Sequence, residues 1–301
     1  MNKFLVFLFF VSSNISGQTG KVFVSGCNWL QVALVDKQTK QIEWTYDLNP
    51  GEDCENITLT PKGELLISYK QGAKLINADR ETIWDYPVEG KGELYSATLL
   101  NDGGYLLACS GHQAIIIELD TRGRERKVLT FDTGVANLHS QLRQIIKSNE
   151  GTYLVPVMSK GVIVELDATG KEVRRFEVEG NPFSVLELKN GNLLVSCGDA
   201  HMAQELERYT GKSVRQIGRN IDGMRLNFVA QIVELDNGNK LICNWNGHAK
   251  GEEALQPALI EIDENNQLVW SLEEGNGIGK ISCVFPVADA KAVSQFIKNN
   301  H

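Results

Sequence analysis

The chain has 301 residues, of which 42% are hydrophobic and 23% are charged, so it has the composition of a globular protein with a full core. Its formal net charge of −8 argues against nucleic-acid binding, which depends on Lys and Arg side chains that neutralise phosphates. This length accommodates two ordinary domains or one large all-β domain.

Residues 1–17 have the pattern of a secretory signal peptide. Lys3 supplies the charge, an almost wholly apolar run follows over residues 4–11, and small and polar residues lead to Gly17. We expect cleavage near Gly17 and export to the periplasm, the cell surface or the extracellular space. No later stretch is apolar enough to span a bilayer, so we expect no membrane insertion after cleavage.

A short apolar strand follows each of six turn glycines along the rest of the chain. The glycines recur at intervals of roughly 40 to 47 residues, the period of a propeller blade with several short strands. They are Gly20, Gly63, Gly104, Gly151, Gly191 and Gly238. The sequence therefore predicts an all-β, six-bladed β-propeller with four-stranded antiparallel blades over residues 18–287.

The strand count also predicts how the ring closes. The first unit, residues 21–48, has three strands and lacks the innermost one, while residues 281–287 form one strand more than the last unit needs. If that strand completes the first blade, no strand edge stays open. Residues 288–301 then form a short helical tail, because Val293 and Phe296 have helical spacing.

Three strand patterns, G-N-x-L-L-h-x-C/N, h-h-E-h-D and G-K-x-V-x-W with h apolar, resemble the quinoprotein-type, PQQ-like repeats of secreted bacterial β-propellers. Trp44, Trp84 and Trp270 match the outer-strand tryptophan, and Leu129, Phe176 and Ile217 depart from it. The resemblance implies blade packing rather than an activity. Quinoprotein dehydrogenases have eight blades and an adjacent cysteine pair over the cofactor, and this sequence has neither, so we predict no cofactor.

A second resemblance is to bacterial arylsulfotransferase propellers. The six-blade count is similar, and so are residues 139–155, which begin with H-S-Q-L-R, and residues 241–248, which read L-I-C-N-W-N-G-H. This resemblance implies a histidine nucleophile in the central funnel.

All four internal histidines are predicted on one face of the propeller. With the strands of a blade lettered a to d from the centre outward, His112, His201 and His248 lie in b–c loops, and His139 lies in the link that enters the fourth blade. The same face gathers Asn28, Trp29, Lys70, Lys160, Asp199, Arg225, Asn227, Asn244 and Trp245. We expect a ligand site there, because propeller sites are built from loops on a rigid scaffold.

The candidate catalytic residues on this face are His139, His201 and Arg225. Histidine acts as an acid, a base or a nucleophile, and an arginine stabilises developing negative charge. A metal site is not predicted, because the histidines come from separate blades without a close pair such as H-x-H. The alternative is that loop residues are polar in any case and that the histidines share a face by chance. Trp29 and Trp245 either stack on a ligand or cap blade cores.

Four cysteines, Cys27, Cys109, Cys197 and Cys243, occupy one repeat position at the end of strand b. That periodicity favours small buried residues with free thiols in blade packing. A disulfide between Cys27 and Cys283 stays open as a way to lock the ring.

Three functions remain open. The favoured one is an exported, non-enzymatic propeller that binds a small molecule, a glycan or a protein on the histidine-bearing face, because no catalytic constellation with a fixed spacing is visible. The second is a funnel-site enzyme, a transferase or hydrolase that uses a histidine. The third, which rests on the repeat resemblance alone, is a quinone-dependent oxidoreductase.

Overall fold

Six four-stranded antiparallel sheets make up almost all of the described chain. The structure is a computed structural model that describes residues 20–219, 221, 224–251 and 256–298. The predicted signal peptide, residues 1–17, lies outside these residues. The prediction of a six-bladed propeller with four-stranded blades is confirmed.

The strands of each blade follow from the centre of the ring outward. Blade 1 contains β24 (Cys283–Val287), β1 (Lys21–Gly26), β2 (Trp29–Asp36) and β3 (Ile42–Asp47), and blade 2 contains β4 (Cys54–Leu59), β5 (Leu65–Tyr69), β6 (Gly72–Ile76) and β7 (Thr82–Pro87). Blade 3 contains β8 (Glu93–Leu99), β9 (Tyr105–Ser110), β10 (Ala114–Leu119) and β11 (Glu125–Phe131), and blade 4 contains β12 (Ile146–Lys147), β13 (Tyr153–Val157), β14 (Val162–Leu166) and β15 (Glu172–Glu177). Blade 5 contains β16 (Val185–Glu187), β17 (Leu193–Ser196), β18 (Ala203–Leu206) and β19 (Ser213–Ile217), and blade 6 contains β20 (Phe228–Glu234), β21 (Lys240–Trp245), β22 (Leu259–Ile262) and β23 (Leu268–Leu272).

Burial along the strands follows the position of each strand in its blade. The second strands, such as β5 and β9, are buried at every residue, because each blade packs between two neighbours and both faces of these strands are covered. The outermost strands, such as β11, alternate between exposed and half-buried residues. The hydrophobic core is therefore a series of clusters between adjacent blades, such as Leu66 and Leu75 with Leu107 and Ile117.

The hairpin turns between strands c and d of blades 1, 3, 4 and 6 are closed by an aspartate, and Asn77 and Glu207 take its place in blades 2 and 5. The Asp120 carboxylate accepts hydrogen bonds from the backbone N–H groups of Arg122 and Arg124 at 2.9 and 3.0 Å. The bond from the Arg124 backbone is the largest of the effects that lower the pKa of Asp120 to about 2. Gly123 has a φ of +76°, which glycine adopts without strain, so the T-R-G-R turn fits this geometry.

The ring closes as the strand count predicts. β24 pairs antiparallel with β1, from Lys21 opposite Val287 to Ser25 opposite Cys283. A 3₁₀ turn, Ala290–Val293, and the short helix α1 (Ser294–Lys298) follow. Of the described helices, none is long and apolar enough to cross a membrane.

The thiol arrangement differs from the one disulfide that the sequence left open. All six cysteines are free. The neighbour of the Cys283 Sγ is the Sγ of Cys54 in blade 2, at 3.6 Å, rather than Cys27. Cys109 and Cys197 are fully buried within blade cores, as their shared repeat position indicates.

Candidate functional site

The b–c loops and the links between blades are joined to one another around one mouth of the central channel. The backbone N–H of Asn28 donates to the Asp53 carboxylate at 2.9 Å, which ties a loop of blade 1 to the link that enters blade 2. The backbone N–H of Gly111 donates to the Gln141 side chain at 3.1 Å in the same way between blades 3 and 4. These bonds tie neighbouring blades to each other at the rim of the mouth.

Arg143 lies inside this rim, at the start of the innermost strand of blade 4, and is only 2% exposed. Its guanidinium carbon lies 4.2 Å from the ring centre of Tyr95 and 5.6 Å from that of Phe183. Nη1 donates to the Leu142 carbonyl at 2.9 Å, and Nη2 lies 3.3 Å from both ring nitrogens of His139. Nε is buried and has no hydrogen-bond partner among the described residues.

His139 lies above Arg143 in the 3₁₀ turn Leu138–Ser140, where the Asn137 side chain caps its backbone N–H at 3.0 Å. Its Nδ1 is 3.4 Å from the Tyr95 hydroxyl. Partial burial and then the positive charges of Arg143 and Lys70 lower the pKa of His139. The imidazole is therefore neutral at pH 7, the form that accepts a proton or a hydrogen bond.

Glu55 places a buried carboxyl group close to Arg143. It lies on β4, is 6% exposed, and its side chain forms no hydrogen bond or ion pair with the described residues. Burial raises the pKa of Glu55 to about 7, although the charges of Arg143 and Lys70 oppose that rise. The Glu55 carboxyl thus exchanges a proton near neutral pH.

An aromatic wall continues from Arg143 across blades 5 and 6. The ring of Phe183 meets Phe228 at 5.7 Å between centres, Phe228 meets Trp245 at 5.8 Å, and Trp245 meets His248 at 4.8 Å, all edge to face. The Trp245 indole N–H lies 3.5 Å from the carbonyl of Cys27 across the ring junction. Cationic and aromatic side chains therefore form one contiguous surface.

The asparagines of blade 6 support this wall from behind. The Asn244 side chain is fully buried, accepts from the backbone N–H of Asn227 at 2.5 Å and donates to the Pro257 carbonyl at 2.8 Å. The Asn227 amide donates to the Asn246 side chain at 2.8 Å. Nδ1 of His201 lies 2.6 Å from the Asn227 carbonyl, and because a carbonyl only accepts, this nitrogen carries the proton. These residues fix loop conformation.

The structure brings some of the predicted site residues together and leaves others apart. The contiguous surface includes His139, Trp245 and His248. The Oδ1 atom of Asp199 lies at 3.5 Å from Nδ1 of His248. Trp29 is half-buried and packs against the core between blades 6 and 1. His112 in its b–c loop and Lys160 beside Gly134 are exposed outside that surface, and Arg225 is exposed in the link that enters blade 6.

Sequence reasoning missed the residues at the centre of the site, and they share one repeat position. In the strand register, equivalent places at the start of strand a are occupied by Glu55, Tyr95, Arg143, Phe183, Ala230 and Cys283. The register shifts beside Glu55, Tyr95 and Ala230, so a β-bulge turns the chain there. An alignment of the strand a segments would have placed Arg143 and Glu55 in equivalent positions.

A separate cavity of about 570 Å³ lies on the opposite face, between blades 1 and 6. The buried ion pair of Lys37 and Glu261 lines it, and none of the predicted site residues does. Among residues 20–219, 221, 224–251 and 256–298, no group of three or more His, Cys, Asp or Glu side chains is arranged to hold a metal ion.

The sequence matches the family model described as Mal s 1 allergenic protein-like over residues 14–267. A protein of unknown function from Bacteroides caccae is 36% identical, superposes with a TM-score of 0.86, and the match covers 90% of this chain and 100% of that chain. A streptogramin B lyase structure is 13% identical with a TM-score of 0.60, over 86% of this chain and 81% of that one. A catalytically inactive virginiamycin B lyase from Staphylococcus aureus, solved with quinupristin, is 12% identical with a TM-score of 0.58. The match covers 90% of this chain and 88% of that chain. The two lyases share the fold alone. No curated protein matches the sequence.

Proposed function

The chain belongs to the Mal s 1 allergenic protein-like family, and we propose that this member binds a small molecule at the mouth of its propeller channel. The observation that carries the proposal is Arg143, a buried guanidinium with an unpartnered Nε, held between Tyr95 and Phe183. A buried cation without a carboxylate partner is costly to folding. Such a group is expected where a ligand completes its interactions.

A small molecule is favoured over a glycan or a protein because the charged centre is deep. Arg143 and Glu55 are 2% and 6% exposed, so only a narrow group reaches them past the rim. A glycan or protein ligand would instead contact exposed rim residues such as His112 and Arg225. Export of the mature chain, predicted from residues 1–17, remains part of the proposal, and N-terminal sequencing of the secreted protein tests it.

A fragment screen by thermal shift tests the binding site. We expect fragments that raise the melting temperature of the wild-type protein to raise that of Lys160→Met equally, because Lys160 is exposed outside the contiguous surface. Arg143→Met should abolish the shift for most of them. Fragments that stabilise Arg143→Met as strongly as the wild-type protein would place the binding site elsewhere.

A funnel-site transferase is the second proposal, because the neutral His139 lies beside the cation of Arg143. In that reaction a His139 nitrogen attacks the sulfur of an aryl sulfate, and the aryl oxide leaves. Incubation with 4-nitrophenyl sulfate should then release nitrophenolate and add a sulfo group to His139, detectable by mass spectrometry. Neither signal is expected from His139→Asn. If the wild-type protein also gives neither signal, the transferase is dismissed.

A quinone-dependent oxidoreductase is the third proposal. The absence of dye reduction after reconstitution with the quinone cofactor would dismiss it.

A further inference from the structure

We propose that the ligand at the channel mouth is a carboxylate attached to an apolar body, that Arg143 binds its charged end, and that Glu55 takes up a proton as it binds. This inference rests on the proposed binding function and adds the charge of the ligand. It follows from four features of the mouth.

The first feature is the unsatisfied guanidinium. Arg143 donates to a backbone carbonyl and contacts a neutral imidazole, and no carboxylate of the described residues lies within ion-pair distance of it. Nε has no acceptor. A carboxylate matches the planar, forked donors of a guanidinium better than any other common anion does.

The second feature is an additional cation. Lys70 lies in the b–c loop of blade 2, and its amine forms no hydrogen bond or ion pair with a described side chain. Its charge nevertheless acts on Cys27, Glu55 and His139, which places it at the same mouth. Two cations therefore face the mouth without a direct counter-ion.

The third feature limits the charge of the ligand and describes its body. Asp53 and Glu93 also act on Glu55, so a dianion such as a phosphate monoester would meet several like charges. A monoanionic carboxylate meets less repulsion. Beyond the guanidinium, Phe183 and Phe228 are 8% exposed and pack edge to face with the half-buried Trp245, so an apolar or aromatic body would meet the accessible parts of these rings.

The fourth feature is the proton on Glu55. Arg143 and Lys70 favour its ionised form, whereas Asp53 and Glu93 oppose that form. The neutral side chains of Tyr95, Cys27 and Cys283 also lie within electrostatic reach of Glu55. A bound carboxylate pairs with Arg143, so that cation no longer stabilises the ionised form of Glu55 as strongly. The ligand also brings a second negative charge close to Glu55, and both effects raise the pKa of Glu55 further. The complex then holds a proton that the free protein lacks above about pH 7, and affinity falls as pH rises.

Benzoate and its neutral isostere benzamide test the charge of the ligand. Isothermal titration of the mature full-length protein at pH 6 should give benzoate a Kd of about 1 mM, with benzamide at least about tenfold weaker. Benzoate should bind Arg143→Met more weakly than about 20 mM and Lys160→Met as it binds the wild-type protein. The comparison of benzoate with benzamide on the wild-type protein decides the question even if Arg143→Met does not fold.

The proton is tested by pH and by buffer. Benzoate should bind the wild-type protein about five- to tenfold more weakly at pH 8.5 than at pH 6, and at pH 7 titrations in two buffers of different ionisation enthalpy should show uptake of about half a proton. Glu55→Gln should bind benzoate with little change between pH 7 and pH 8.5. If Glu55→Gln takes up as many protons as the wild-type protein, the proton belongs to another group and the proposed role of Glu55 is overturned.

The outcomes separate this inference from the function on which it rests. If benzamide binds as well as benzoate, or if benzoate does not bind, the ligand is not a carboxylate, while fragments that depend on Arg143 still support the binding site. If no fragment depends on Arg143, the proposed function fails together with this inference.

Discussion

At the scale of single residues, the site holds two groups of opposite charge that are buried without touching. Glu55 and Arg143 are close enough for each charge to act on the other, but no hydrogen bond joins them. In a folded protein such an arrangement leaves most of the desolvation cost uncompensated. The arrangement therefore costs stability, which the proposed binding function would explain.

Glu55→Gln should therefore stabilise the protein at alkaline pH. The pKa of Glu55 is raised from 4.5 in the unfolded chain to about 7, so the folded chain holds a proton that the unfolded chain releases between these values. The stability contribution is fully present below about pH 4.5 and is lost as pH rises through about 7. We expect the free energy of unfolding of Glu55→Gln to exceed that of the wild-type protein by roughly 3 kcal/mol at pH 8 and to equal it at pH 4.

Urea unfolding at the two pH values measures this difference, with the exposed Glu264→Gln as the matched control. A gain of the same size at pH 4 would show that the carboxyl group destabilises the fold for a reason other than its charge.

At the scale of elements, the C-terminal segment shows how a short helix is held by packing alone. The five residues of α1 are too few to form a stable helix in isolation. Phe296 lies at 5.1 Å from Phe23 and 4.9 Å from Trp44 between ring centres, and it is fully buried in the core shared by blades 1 and 2. The segment therefore covers the start of the ring as well as following its last strand.

Phe296→Ala should lower the free energy of unfolding by about 3 to 4 kcal/mol, because it removes a buried ring and leaves a cavity that strands cannot easily fill. Val214→Ala is the control, since Val214 is 58% exposed and should change stability by less than about 0.5 kcal/mol. Thermal and urea unfolding both report the effect. A loss below about 1 kcal/mol would mean that the segment detaches without consequence for the ring.

At the scale of the whole molecule, the innermost strand of blade 1 joins the two ends of the chain. β24 lies between β1 and the channel and also packs against β4 of blade 2. Without β24 the inner edge of β1 exposes unpaired backbone groups, and such an edge is a template for aggregation.

Removal of residues 281–301 should give a protein that aggregates and shows no cooperative unfolding, whereas removal of residues 299–301 should leave the fold intact. Size-exclusion chromatography and circular dichroism measure both outcomes. A monomeric, cooperatively folded product of the longer deletion would show that the ring forms even when blade 1 lacks its innermost strand.

The ring was predictable from the sequence because its signals are local. Turn glycines such as Gly63 and Gly151 mark each unit, and the count of apolar strands leaves the first unit one strand short and the C-terminal end with one strand over. The centre of the site was not predictable in the same way. Arg143 is buried by rings from blades 3 and 5, and that proximity depends on the packing of three blades rather than on any pattern near residue 143.

The bulged start of strand a has a consequence for how such a protein acquires new specificity. Each of the six blades places one side chain at this position, and in this chain the six are Glu, Tyr, Arg, Phe, Ala and Cys. The scaffold is symmetric, and the chemistry that it displays is not. A single exchange at Arg143, for instance, would replace the charge that one sector of the mouth contributes. Because neighbouring side chains at this position contact one another, as Arg143 contacts Tyr95 and Phe183, an exchange in one blade also changes the surroundings of the residues beside it.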